Sequence, residues 1–252
     1  MYSNFNLSTL VRTRRGLFPL ILLCFLLPAA IALRAEENYL APGQPDGIAL
    51  LPPPPAPGSE EEAADLASAR TVFHGRTKAE EIRAFQDSTL AFALFEPAIG
   101  PMFDLGRLPK TDAVLQKVKK EIGEAIDLPK NHFQRKRPYQ LDPELSLGKP
   151  EPSFSYPSGH STRGTVYSLV LAELFPEKRA GILEIGRNIG WDRVLIGKHF
   201  PTDIYAGRVL GRAIMRELRN SPAFQHDLVE AKAEIQAAQA QQPAVAAPAP
   251  AH

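Results

Sequence analysis

The sequence predicts an all-α fold: a single-domain helical bundle with Pro-rich loops and its active site between helices. Three observations lead there. No stretch shows sustained alternation of apolar and polar residues, the mark of a half-buried strand. Apolar residues recur instead at helical spacing in one segment after another. Ser and Pro stand where those segments should start and stop.

The elements follow in chain order. Ser59 before Glu60, Glu61 and Glu62 reads as a helix start, with the serine as cap and Glu62 completing a capping box. From Ala79 to Phe95, residues Ile82, Phe85, Leu90, Ala93 and Leu94 fall near one face before Pro97 closes the segment. Thr111 to Ile126 carries Val114, Leu115, Val118, Ile122 and Ile126 as one stripe. Ser161 to Phe175, with its apolar run concentrated from Val166 to Phe175, ends at Pro176, as a buried central helix should. Glu177 to Ile196 follows, then Asp203 to Leu218 with Ile204, Leu210, Ala213, Ile214 and Leu218 facing inward.

The ends have a different character. Arg12, Arg14 and Arg15 precede an apolar run from Leu17 to Ile31, and Ala30-Ile31-Ala32 offers a cleavage site. Residues 1–32 are therefore expected to be a signal peptide, which makes the protein exported and periplasmic. The only cysteine, Cys24, leaves with it. Residues 33–58 form a Pro-rich segment, stiff and laid across the domain surface. The helical domain is expected over 59–228. From 229 to 252 the chain is mostly Ala, Gln and Pro, an extension of the last helix through Leu228, Ala231 and Ile235 and then a largely disordered tail.

Charge narrows the function. Twenty-nine Lys and Arg oppose 28 Asp and Glu, and losing the three leader arginines leaves 26 against 28. That balance argues against a nucleic-acid-binding site. No second long apolar run follows the leader, so no membrane span is expected in the mature chain.

Three polar clusters stand out. Lys130 is followed after six residues by Arg137-Pro138, then comes Pro157-Ser158-Gly159-His160, and then Arg193, five residues, His199, three residues, Asp203. Ten positions are specified by type at roughly one in twenty each, so chance does not explain the set. Lys130, Arg137 and Arg193 supply three cations, with the guanidinium groups suited to binding phosphate oxygens in pairs. Ser158 and Gly159 lie where a helix begins, a place that favours anions. Arg135, Lys136 and Arg137 together also fit a plain solvated basic face. Binding of this kind needs no metal, and no carboxylate cluster suited to magnesium or zinc is visible.

The combined pattern resembles the phosphatidic acid phosphatase type 2 superfamily, whose signature is K-x6-RP, PSGH and SR-x5-H-x3-D in that order. The leader and the Pro-rich segment make the chain most similar to the bacterial class A non-specific acid phosphatases. The resemblance implies that His199 attacks phosphorus and becomes phosphohistidine, that Asp203 orients it, and that His160 protonates the leaving alcohol. Lys130, Arg137, Ser158, Gly159 and Arg193 would then hold the phosphate, with no cofactor. One position departs: Asp192 stands where the family has Ser, and a carboxylate there repels phosphate unless it is turned away or paired, for instance with Arg193.

The resemblance further implies a phosphorylated small-molecule substrate, vanadate as an inhibitor, and a homodimer or larger homo-oligomer. Three rival readings share the pattern: a lipid-phosphate phosphatase at a membrane surface, a vanadium-dependent haloperoxidase, and a non-catalytic phosphate-binding module. His74, His226 and His252 read as surface residues, while His132, Phe154 and Tyr156 could line the pocket.

Overall fold

A computed structural model describes residues 37–241. The expected signal peptide and the last part of the tail lie outside the described residues. Among the described residues ten α-helices run in order: α1 (Gly47–Leu50), α2 (Glu60–Gly75), α3 (Lys78–Asp87), α4 (Glu96–Ile99), α5 (Pro109–Phe133), α6 (Pro138–Leu141), α7 (Gly159–Leu174), α8 (Arg179–Leu195), α9 (Pro201–Asn220) and α10 (Pro222–Ala240). Short 3₁₀ turns join some of them, and no strand occurs among the described residues. The fold is all-α, as the sequence predicts.

Helix α7 is the centre. Val166, Val170 and Leu171 are sealed from solvent, and α8 and α9 pack along it most extensively. Small residues allow that closeness. A Cβ on Gly186 would fall 2.3 Å from Ser168 Oγ, and one on Gly207 would fall 2.6 Å from the Ser158 carbonyl oxygen. Helices α5 and α10 pack against each other on the far side, with Leu115, Ile122, Phe224 and Leu228 joining Leu210 and Ile214 of α9 in one core.

Several boundaries differ from expectation. The segment from Ala79 to Phe95 is not one helix, because α3 ends at Asp87 and Leu90 takes a positive φ of 51°. Its apolar residues do not share one buried face: Ile82 and Phe85 are exposed, whereas Ala84 is buried and Leu90 and Leu94 pack against the core. Pro97 does not close a helix but sits in the first turn of α4, where its missing N–H has no intrahelical partner to lose. Glu62 takes its hydrogen bond from the Gly58 N–H, one residue before the cap, while Ser59 Oγ accepts from Glu62 N. Helix α5 passes Pro129 and stops at Phe133, with Gln134 left-handed at φ 50°. The last helix runs on to Ala240, so helix fills the first part of 229–252.

The Pro-rich segment lies against the domain. Glu121 of α5 accepts from the backbone N–H of Tyr39 and of Leu40, and the Pro52 carbonyl accepts from the Tyr156 hydroxyl at 2.6 Å.

Candidate active site

The termini of α7, α8 and α9 that meet at one end of the bundle carry the second and third clusters. His160 is in the first turn of α7, Arg193 in the last turn of α8, and Asp203 in the first turn of α9. The last turn of α5 adds Lys130, and Arg137 caps α6. All five segments therefore converge on one place.

His199 is fixed from both sides. Its Nδ1 lies 3.1 Å from Asp203 Oδ2, and Arg137 Nη1 lies 3.2 Å from its Nε2. A carboxylate can only accept and a guanidinium can only donate, so the proton sits on Nδ1 and Nε2 carries the lone pair. Burial, followed by the charges of Arg137, Lys130 and Arg193, holds the ring well below the usual histidine pKa. His199 is thus a buried, neutral imidazole with its free nitrogen turned toward cations, the state a nucleophile requires.

Asp203 is held just as firmly. Oδ2 accepts from Ser155 Oγ at 2.5 Å and from the Phe200 N–H at 3.0 Å, and Oδ1 accepts from Arg135 Nη1 at 2.7 Å. Arg135 in turn pairs with Asp65 at 2.8 Å and lies over the Phe200 ring. It is not part of a solvated basic face.

The three expected cations are buried and partnered mainly by neutral carbonyls. Lys130 Nζ donates to the Phe154 carbonyl at 2.6 Å. Arg137 donates to the carbonyls of Ser153 and Lys198, each at 2.8 Å. Carbonyl dipoles position these groups without cancelling their charge, so the pocket stays electropositive. Burial and then Arg137 lower Lys130 to about 7. Arg193 differs: its Nη2 pairs with the Glu151 carboxylate, and its Nε is buried with no hydrogen-bond partner. That donor is left available to an acceptor.

Ser158 and Gly159 start α7. Ser158 is tied into the scaffold through its N–H, which goes to the Asp203 carbonyl at 3.0 Å; its Oγ accepts from Ser161 N, which leaves the hydroxyl proton as a donor. The first-turn N–H groups of Gly159 and His160 are therefore the ones offered to an anion, rather than those of Ser158 and Gly159. A Cβ on Gly159 would meet Arg163, Ile126 and Lys130. His160 Nε2 lies 3.2 Å from the Ser88 carbonyl, a contact that favours the protonated ring. Burial and Arg193 outweigh it and push the ring down to about 3.

Asp192 is turned away, and its partner is not Arg193. Arg83 of α3 grips it with Nε and Nη2, each at 2.9 Å, and the carboxylate is fully buried. Neighbours in a helix point about 100° apart, so Asp192 and Arg193 face different surroundings. Asp87 lies close by, pushed up to about 7 by burial and then by Asp192.

Reading the sequence missed Arg135, Asp65, Ser155, Glu151 and Arg83. Only Arg135 had a signal, its place beside Arg137. His74 ends α2, and His132 and His226 are exposed, while His252 lies outside the described residues. Tyr156 is buried against Phe133, and Phe154 contributes its backbone carbonyl.

An all-helical scaffold thus gathers cations about an aspartate-held histidine. The chain belongs to the PAP2 superfamily, whose model matches residues 122–225. It is 31% identical over 216 residues to a non-specific acid phosphatase of Providencia stuartii, covering 81% of this chain and 87% of that one. An acid phosphatase of Zymomonas mobilis is 29% identical over 202 residues, 77% of this chain and 76% of the relative. Among solved structures, a transmembrane PAP2-type phosphatidylglycerolphosphate phosphatase from Bacillus subtilis matches with a TM-score of 0.45 and 22% identity, over 63% of this chain and 84% of that one. Among the described residues, no helix is long and apolar enough to cross a membrane.

Proposed function

We propose that the protein is an exported, metal-independent acid phosphatase of class A type, hydrolysing phosphate monoesters through a phosphohistidine. The observation that carries this reading is His199: buried, held by Asp203 at 3.1 Å through Nδ1, with Nε2 left unprotonated among three cations.

The chemistry runs in two steps. Lys130, Arg137, the free Arg193 Nε and the first-turn N–H groups of α7 neutralise the phosphoryl oxygens and align phosphorus with Nε2. The Nε2 lone pair forms the P–N bond while the bond to the ester oxygen breaks, and His160 gives that oxygen a proton. Asp203 stabilises the positive charge that appears on the His199 ring. In the second step His160 takes a proton from water, the oxygen attacks phosphorus, and the P–N bond breaks to restore neutral His199.

A monoester binding as its monoanion brings the proton that His160 lacks in the free enzyme. The second ionisation of a phosphate monoester lies near about 6, so activity is expected on the acid side of neutrality. Charge neutralisation by side-chain cations supports independence from metals. Vanadate, which takes up five-coordinate geometry at the same oxygens, should inhibit. Asp192 does not oppose the reading, because Arg83 compensates it.

The experiment is hydrolysis of p-nitrophenyl phosphate from pH 4 to 9 with EDTA present, wild type beside His199→Ala. Turnover with an acidic optimum, lost in the variant, supports the reading. Activity that disappears with EDTA, or survives in the variant, contradicts it.

A further inference from the structure

A cleft of ≈ 460 Å³ is lined by residues of α7, α8 and α9. Arg179 and Arg187 of α8 and Arg208, Arg212 and Arg219 of α9 all line it, together with Thr165 and Ser168 of α7. None of the residues of the proposed catalytic pocket lines it. It uses the same three helices further along: Ser168 is about 12 Å beyond His160 at the ordinary helical rise.

Five guanidinium groups in one cleft are far from balanced. Glu173 accepts from Arg219 at 2.7 Å, but among the described residues Arg179, Arg187, Arg208 and Arg212 have no carboxylate partner. Arg208 Nε is buried without a hydrogen-bond partner. Its guanidinium lies 5.5 Å from the centre of the Tyr205 ring, and burial, with Arg187 and Arg212 adding to it, holds its pKa down. Like charges at i and i+4 destabilise a helix, and Arg208 and Arg212 stand at that spacing. Apart from the Glu173 pair and the Tyr205 ring, the positive charge in the cleft is uncompensated among the described residues, and a polyanion would relieve it.

We infer that this cleft is a second anion site, separate from the proposed catalytic pocket, for a compact ligand carrying two or more phosphate groups. One phosphate engages about two guanidinium forks, which leaves part of this set unmatched. The volume falls within the range of small-molecule sites, roughly 300–1,000 Å³, and exceeds what a single phosphate fills. The ligand is either a free polyphosphorylated compound or phosphate headgroups clustered on an anionic bilayer, and the two share this chemistry.

The test is calorimetric titration of the full chain with tripolyphosphate, in a His199→Ala background to prevent turnover. The cleft predicts a binding event that Arg208→Gln/Arg212→Gln weakens at least tenfold and that Arg137→Gln leaves in place. Arg187→Gln/Arg212→Gln, at two exposed positions, repeats the test should the first pair misfold. In the His199-containing enzyme the cleft pairs should leave p-nitrophenyl phosphate hydrolysis within twofold of wild type, so the site and the proposed activity fail separately. Sedimentation with phosphatidylglycerol vesicles assigns the source: loss of vesicle binding in the cleft variants points to headgroups, and tripolyphosphate binding without vesicle binding points to a free compound. Tripolyphosphate isotherms unchanged by both pairs of substitutions overturn the inference.

Discussion

Arg135 donates through Nη1 to Asp203 Oδ1 at 2.7 Å, with both side chains shut away from solvent. Its Nη2 meets Asp65 at 2.8 Å, so one guanidinium joins α2 to the first turn of α9. The pair fixes the carboxylate that fixes His199. Removing one partner of a buried pair leaves an uncompensated charge, at a cost of about 3–5 kcal/mol. Arg135→Ala is therefore expected to lose about that much in urea unfolding. It should also lower kcat more than it raises KM, since Arg135 touches Asp203 and not the phosphate pocket.

Glu151 occupies Arg193 Nη2, a donor the phosphate would otherwise use. Binding an anion there must displace or share that carboxylate. Glu151→Gln keeps the shape and removes the charge, so KM for p-nitrophenyl phosphate and the inhibition constant for inorganic phosphate should both fall several-fold. Steady-state kinetics at pH 5.5 checks this, and a KM that rises would show that Glu151 aids binding.

His160 is pushed down to about 3, so the free enzyme carries it neutral across the working range. The proton for the leaving group then comes with the substrate. The alkaline limb of kcat/KM should follow the second ionisation of the substrate, moving to lower pH for a more acidic monoester, while Lys130, lowered to about 7, weakens binding further above that pH. His160→Ala should slow alkyl phosphates by about 10²–10⁴ and affect p-nitrophenyl phosphate less, because that leaving group needs little protonation.

Asp87 gives the stability profile a definite sign. Its carboxyl is raised from 3.8 to about 7, so between those values the folded state holds a proton that the unfolded state has released. Stability from this group falls as pH rises through that window and stays low above it. Asp87→Asn is neutral at every pH. The variant should therefore gain relative to wild type as pH goes from 5 to 8, a comparison that thermal unfolding at the two values provides.

The helical fold and the three clusters that it brings together were legible for the same reason: both depend on short sequence spacings. His199 and Asp203 are four residues apart, so a single helix start carries both. The supporting residues were hidden because their partners are remote. Arg83 and Asp192 are 109 positions apart, and Arg135 and Asp65 are 70 apart, with no pattern linking them. Arg193 looked like a partner for Asp192 only because it is next in sequence. Leu90 likewise broke an expected helix through a backbone conformation that its apolar side chain does not announce.

In the proposed reaction phosphorus passes through His199 Nε2. Rapid acid-free quenching of the enzyme with a labelled monoester, followed by peptide mass spectrometry under alkaline conditions, tests it directly. One phosphoryl group is expected on the peptide containing His199, stable to base and lost in acid, and absent from His199→Ala. A phosphoryl group on any other residue, or full single-turnover hydrolysis with no phosphoenzyme under conditions where its breakdown is slow, would contradict it.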